Sequence, residues 1–163
     1  MADEETSDRD LPQPARLWTV DEANARIEGM TELLAQLRSW VVRFRKVAEE
    51  LERLTSFWGK EVDAPDHPDA ELRRRLQEES RALTKNVETE VARLRGEGIE
   101  VKDLEDGLVD FYSVHNGEVV FLCWQKGEGD IEFYHTLEGG YRNRRPLPDH
   151  PARAPARSHH RAA

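Results

Sequence analysis

Gly107-Leu-Val-Asp-Phe-Tyr-Ser-Val-His-Asn-Gly-Glu-Val-Val-Phe-Leu-Cys-Trp124 is the stretch on which the reading of this chain turns. Asn116-Gly117 between two runs rich in Val, Phe, Tyr and Leu is the strongest short signal for a two-residue β-hairpin turn. Such a turn sets the register. His115 pairs with Glu118, Val114 with Val119, Tyr112 with Phe121, Asp110 with Cys123, and Leu108 with Gln125. One face then carries Val109, Phe111, Ser113, Val120, Leu122 and Trp124. It is the more apolar face, so it is expected to pack on the rest of the protein. Asp110 and the only cysteine, Cys123, are left side by side on the other face.

Lys126-Gly-Glu-Gly-Asp130 reads as a second turn, and Ile131 to Thr136 as a third strand. Two registers compete. If Ile131 and Phe133 enter the core, His135 goes with them, and Glu132 and Tyr134 join Asp110 and Cys123. Shifted by one residue, His135 comes to the Cys123 face. Period-2 geometry makes the choice all or nothing unless a bulge intervenes. Burial of two large apolar side chains favours the first.

Upstream of the hairpin the period changes from two to between three and four. Thr19-Val-Asp-Glu22 matches a capping box, which starts a helix. Ile27, Met30, Leu34, Leu37, Val41, Phe44, Ala48, Leu51 and Trp58 then recur at alternating steps of three and four, with Thr55 filling one slot. That is a heptad seam, ended by Gly59. Residues 61–69, with two prolines and three aspartates, read mostly as a loop. Asp66 is expected to cap a second helix, with Pro68 in its first turn. Leu72, Leu76, Leu83, Val87, Val91 and Leu94 form its stripe, and Gly96 and Gly98 end it. A short connection between long helices implies an antiparallel hairpin. Aligned from the loop, Leu94 falls near Thr31, so Ala23, Ile27 and Met30 need another partner, and the β-segment is the candidate.

The fold class expected is therefore α+β: a long antiparallel two-helix hairpin over 19–97, then a small three-stranded antiparallel β-meander over 107–136 and a C-terminal segment over 137–147. Residues 17–147 form one domain. Residues 1–16 carry five acids and two arginines, and 148–163 are rich in Pro, Ala and Arg. Neither shows an apolar period, so both are expected to be disordered tails.

Composition narrows the function classes. Of 163 residues, 35% are charged and the net charge is -9. An acidic chain lacks the basic face that phosphate backbones require, which argues against nucleic acid as a partner. No stretch approaches the roughly 20 apolar residues of a membrane span. Met-Ala-Asp-Glu-Glu lacks the basic and apolar regions of a signal peptide. One cysteine allows no internal disulfide. A cytoplasmic location is the expectation.

Several short motifs in order resemble a known family. They are Leu17-Trp18-Thr19 with Glu22-Ala23-Asn24, Gly107-Leu-Val-Asp-Phe111, Leu122-Cys-Trp124, Gly127-Glu128, and Tyr134-His135 followed by Gly140 and Arg145-Pro146-Leu147. Over about residues 17–147 the chain is similar to the bacterial proteins grouped as domain of unknown function 2203. In that pattern a proline commonly follows the Asp-Phe pair, where Tyr112 stands here. The resemblance implies the extent of the domain and no activity.

Three functional readings remain. The first is a non-enzymatic interaction module, using the coiled-coil-like helical hairpin to bind a protein partner or a second copy. The second is a small metal- or thiol-dependent enzyme centred on Cys123, with Asp110 and His135. Cys, His and carboxylate are all acceptable zinc ligands, so a divalent metal is possible, although no cofactor is called for by any motif. A carboxylate beside the thiol raises its pKa, which disfavours a nucleophile. The third is an anion or nucleotide binder at Arg142–Arg145, following Gly139-Gly140. His67 before Pro68, His115 beside the turn, the run Arg73–Arg75 and the pair His159-His160 read as solvated or incidental.

Overall fold

A computed structural model describes residues 14 and 16–148. Apart from positions 14, 16 and 148, the two expected tails, His159-His160 included, lie outside the described residues. Two helices are followed by a five-stranded antiparallel sheet, so the chain is α+β.

Helix α1 spans Val20–Trp58. Its capping box forms as the sequence implies: the Glu22 amide donates to Thr19 Oγ1 at 3.2 Å, and the Thr19 amide donates to Glu22 Oε2 at 2.9 Å. Gly59, at φ 61, ends it, and a 3-10 turn over Gly59–Asp63 follows. At 1.5 Å per residue α1 is roughly 58 Å long. Helix α2 spans Ala70–Gly96. Asp66 does not cap it. The N-cap position falls on Asp69, whose amide donates to His67 Nδ1 and whose carboxylate accepts from Trp58 Nε1 at 2.8 Å. His67 also meets the Trp58 ring edge-on, so it is a structural joint rather than a free loop residue. The two helices touch through Arg26 and Glu97, Arg43 and Glu79, and Trp58 and Asp69.

The buried stripe of α1 departs from a strict heptad. Met30, Leu34 and Leu37 are buried as expected, but the next inward residues are Trp40 and Val47, while Phe44 is exposed. A helix of 3.6 residues per turn drifts against a 3.5-residue repeat. Val47, Leu76 and Leu83 form a second, smaller core with Leu51, Leu54 and Leu72.

The strands are β1 (Ile99–Asp103), β2 (Leu108–His115), β3 (Glu118–Gln125), β4 (Phe133–Thr136) and β5 (Arg145–Pro146), in that order across the sheet. The expected meander had three of these. β1 escapes a search for long apolar runs because only Ile99 and Val101 face inward, and β5 has only two residues. The register of β2 against β3 is the one set by the turn, with Asp110 opposite Cys123, and Asn116 and Gly117 both at positive φ. Val109, Phe111, Leu122 and Trp124 pack in one core with Ala23, Met30, Leu34, Leu37 and Leu94. The sheet thus covers the base of α1, where α2 runs out. Trp18 closes this end, edge-on to Phe111, with its Nε1 donating to the Glu97 carbonyl.

Candidate functional site

The helix-free face of the sheet holds three buried groups that can do chemistry, and strand geometry brings them together. Glu100, Asp110, Cys123 and Phe133 are successive cross-strand partners on β1 to β4, so all four point to this face. His135 pairs with Phe121 in the next row, diagonal to Cys123. Asp110, Cys123 and His135 are 1%, 0% and 2% exposed.

The favoured register of the last long strand is therefore corrected. His135 shares the face of Cys123 and Asp110. Phe133 does not enter the helix-side core, whereas Tyr134 packs against it. Ile131 is buried there as expected, but it precedes β4, and its amide donates to Asn24 Oδ1 on α1 at 2.7 Å. That side-chain bond takes Ile131 out of the ladder, so its orientation no longer constrains Phe133 and His135. Glu132 also lies outside the strand, its carbonyl accepting from the Leu147 amide.

His135 Nε2 lies 3.0 Å from Asp110 Oδ2, and Nδ1 lies 2.7 Å from the Thr136 carbonyl oxygen. Burial works against the charged imidazole, but the Asp110 carboxylate and the Thr136 carbonyl outweigh it and leave the His135 pKa raised. Asp110 Oδ1 is buried without a hydrogen-bond partner. Burial pushes the Cys123 thiol up to about 12, with Asp110 adding to the rise and Arg144 only partly opposing it. A thiol held there is a poor nucleophile at neutral pH.

The cover over these groups is one layer of side chains. Arg144 stacks 4.1 Å above Phe133 and 4.2 Å from Tyr141, and its Nη1 lies 2.7 Å from Glu128 Oε1. Nη1 is nonetheless without a hydrogen bond, so the contact is an ion pair with poor angular geometry. On the other side Lys102 lies over the Phe121 ring and pairs with Glu100, which also accepts from the Tyr112 hydroxyl at 2.9 Å. Burial and the Glu100 carboxylate raise the Tyr112 phenol to about 12.

Arg142 lies in the 3-10 turn Tyr141–Asn143 and Arg145 on β5, both exposed, while Arg144 is turned inward. The three arginines therefore do not converge as one anion cradle. Arg144, Lys102 and Glu100 are the members of the site that sequence reasoning did not single out, and Glu128 entered only as part of a family motif. Arg144 lies in a run with two exposed arginines, and the 3-10 turn that leads to it is preceded by Gly140, at φ 65. The Asp110–Cys123–His135 group has the composition of a metal-holding cluster.

A sheet with two helices on one face and a buried Asp–Cys–His group under a thin cover on the other defines a small α+β protein with one evident polar centre. The chain belongs to the family described as uncharacterized conserved protein (DUF2203), whose model matches residues 16–147. Neither the curated proteins nor the solved structures contain a match to it.

Proposed function

We propose that this chain is a non-enzymatic interaction module of the cytoplasm, whose helices act as an antiparallel, coiled-coil-like hairpin that binds a protein partner or a second copy. The observation that carries the reading is Phe57, 77% exposed near the end of α1. It does not stand alone. Val42 and Phe44 are also exposed on α1, and Val41, Phe44, Leu83 and Val87 line a shallow apolar groove between the helices. Beyond Trp40 no α1 side chain belongs to the core shared with the sheet. Single exposed apolar residues are ordinary, but several along one helical arm suit an interface. Consistent with this reading, no described helix is long and apolar enough to cross a membrane. The high pKa of the Cys123 thiol speaks against the alternative of a thiol-dependent enzyme.

The test is sedimentation and affinity capture with the full chain and with a Phe44→Glu/Phe57→Glu variant. The expected result is self-association or a captured protein that the variant loses. A strict monomer that captures nothing overturns the reading.

A second reading, anion binding at Arg142 and Arg145, is favoured by one fact. Both are exposed, and among the described residues neither forms an ion pair. A thermal shift across a phosphate panel tests it, and no shift at millimolar phosphate or nucleotide removes it.

A further inference from the structure

Asp110, Cys123 and His135 each offer one ligand atom, and these atoms all lie within 4.8 Å of one another. The tautomer of His135 is the informative part. Its Nδ1 faces the Thr136 carbonyl oxygen at 2.7 Å, and a carbonyl only accepts, so Nδ1 carries a proton. A neutral imidazole then has a bare lone pair on Nε2. That lone pair faces a carboxylate oxygen, Asp110 Oδ2, at 3.0 Å. Two acceptors do not sit at that distance without a positive species between them. A proton shared by the two groups is one such species, and a metal ion is the other. Asp110 Oδ1, buried and without a hydrogen bond, is an independent sign of unused ligand capacity.

We propose that Asp110, Cys123 and His135 form a buried site for a divalent ion of the zinc class. An imidazole whose far N–H is tied to a carbonyl is the usual posture of a metal-binding histidine. Carboxylate, thiolate and imidazole suit zinc and its neighbours, and the thiolate selects against magnesium and calcium. Three donors leave a fourth position, which falls to water.

Charge balance supports the exchange. Without an ion, an Asp110–His135 pair that shares one proton across its 3.0 Å contact and a neutral thiol sum to zero. With a dication, a carboxylate, a thiolate and a neutral imidazole also sum to zero. Loading breaks the Cys123 S–H bond and removes the proton held between His135 Nε2 and Asp110 Oδ2, sends both protons to solvent, and forms bonds from Sγ, Nε2 and a carboxylate oxygen to the ion. No net charge is added to a buried place, where an uncompensated one is costly. The charged groups facing the site are already answered, Arg144 by Glu128 and Lys102 by Glu100.

The test uses the full, untagged chain, unfolded and refolded with a chelator and then titrated with Co²⁺ alone. The expected result is one equivalent bound with a thiolate-to-cobalt charge-transfer band. Cys123 is the only cysteine in the sequence, so that band assigns itself. A His159→Ala/His160→Ala variant is expected to keep the band, and Cys123→Ser to lose it. Zn²⁺ added in weak buffer near neutral pH is expected to release about two protons per ion. Absence of the thiolate band at millimolar Co²⁺, or binding that disappears with His159 and His160, overturns the proposal. If Cys123→Ser fails to fold, the band in the unaltered chain and its survival in the double-histidine variant decide the matter.

Discussion

His135 Nε2 lies 3.0 Å from Asp110 Oδ2, two strands away, with both residues buried. Between their strands runs β3, and Cys123 sits on it between the two. Removing one member of such a pair leaves the other charged or polar in an apolar place. Asp110→Ala is expected to cost about 3–5 kcal/mol in urea unfolding. The double change Asp110→Leu/His135→Leu is expected to cost clearly less than the sum of the two single ones. Additive losses would mean that the two groups are not coupled.

The pair also makes stability depend on pH in the chelated protein. The folded-state pKa of His135 is raised, so folding takes up a proton there. Its contribution is fully present below the unfolded value of about 6.5 and is lost as pH rises through the raised folded value. The stability gap between the unaltered chain and His135→Gln is therefore expected to be widest near pH 5–6 and to narrow on the alkaline side. Denaturant melts at several pH values check this, and a gap that widens with pH would contradict it.

Cys123 is buried, with its thiol raised to about 12 by burial first and Asp110 second. Native protein at pH 8 is expected to resist iodoacetamide and to be modified at once in strong denaturant. Intact mass reads the outcome. Rapid alkylation of the native chain would show an activated thiol and revive a catalytic reading.

Gly98 stands at φ 74, and a Cβ there would come within 2.3 Å of the Arg16 carbonyl oxygen. Backbone opposes backbone, so nothing flexible can give way. Gly98→Ala is expected to lower stability by more than about 1 kcal/mol. Gly129→Ala, with open space around the position and no positive φ, serves as the control and is expected to change stability little.

Core and arm are expected to respond differently. Phe111→Ala, at the junction of sheet and α1, is expected to cost about 3–5 kcal/mol. Phe57→Ser is expected to stay within about 0.5 kcal/mol, because its ring already faces solvent. The contrast in midpoints separates folding from any effect on association.

Local chemistry by itself determined much of this protein. Thr19 and Glu22 start α1, Gly59 ends it, and Asn116-Gly117 sets the register that puts Asp110 opposite Cys123. Each depends on residues within a few positions of one another, so each could be read along the chain. The shift of the buried stripe from Phe44 to Val47, the short β1 and β5, and the place of His135 depended on contacts between distant segments. The last is the plainest case. Period-2 alternation ties His135 to Ile131 only while the ladder is unbroken, and Asn24, more than a hundred residues away, takes the Ile131 amide out of it. The sequence alone therefore located the aspartate and the cysteine on one face. Only the tertiary structure, by breaking that parity through a bond from α1, decided that the histidine joins them.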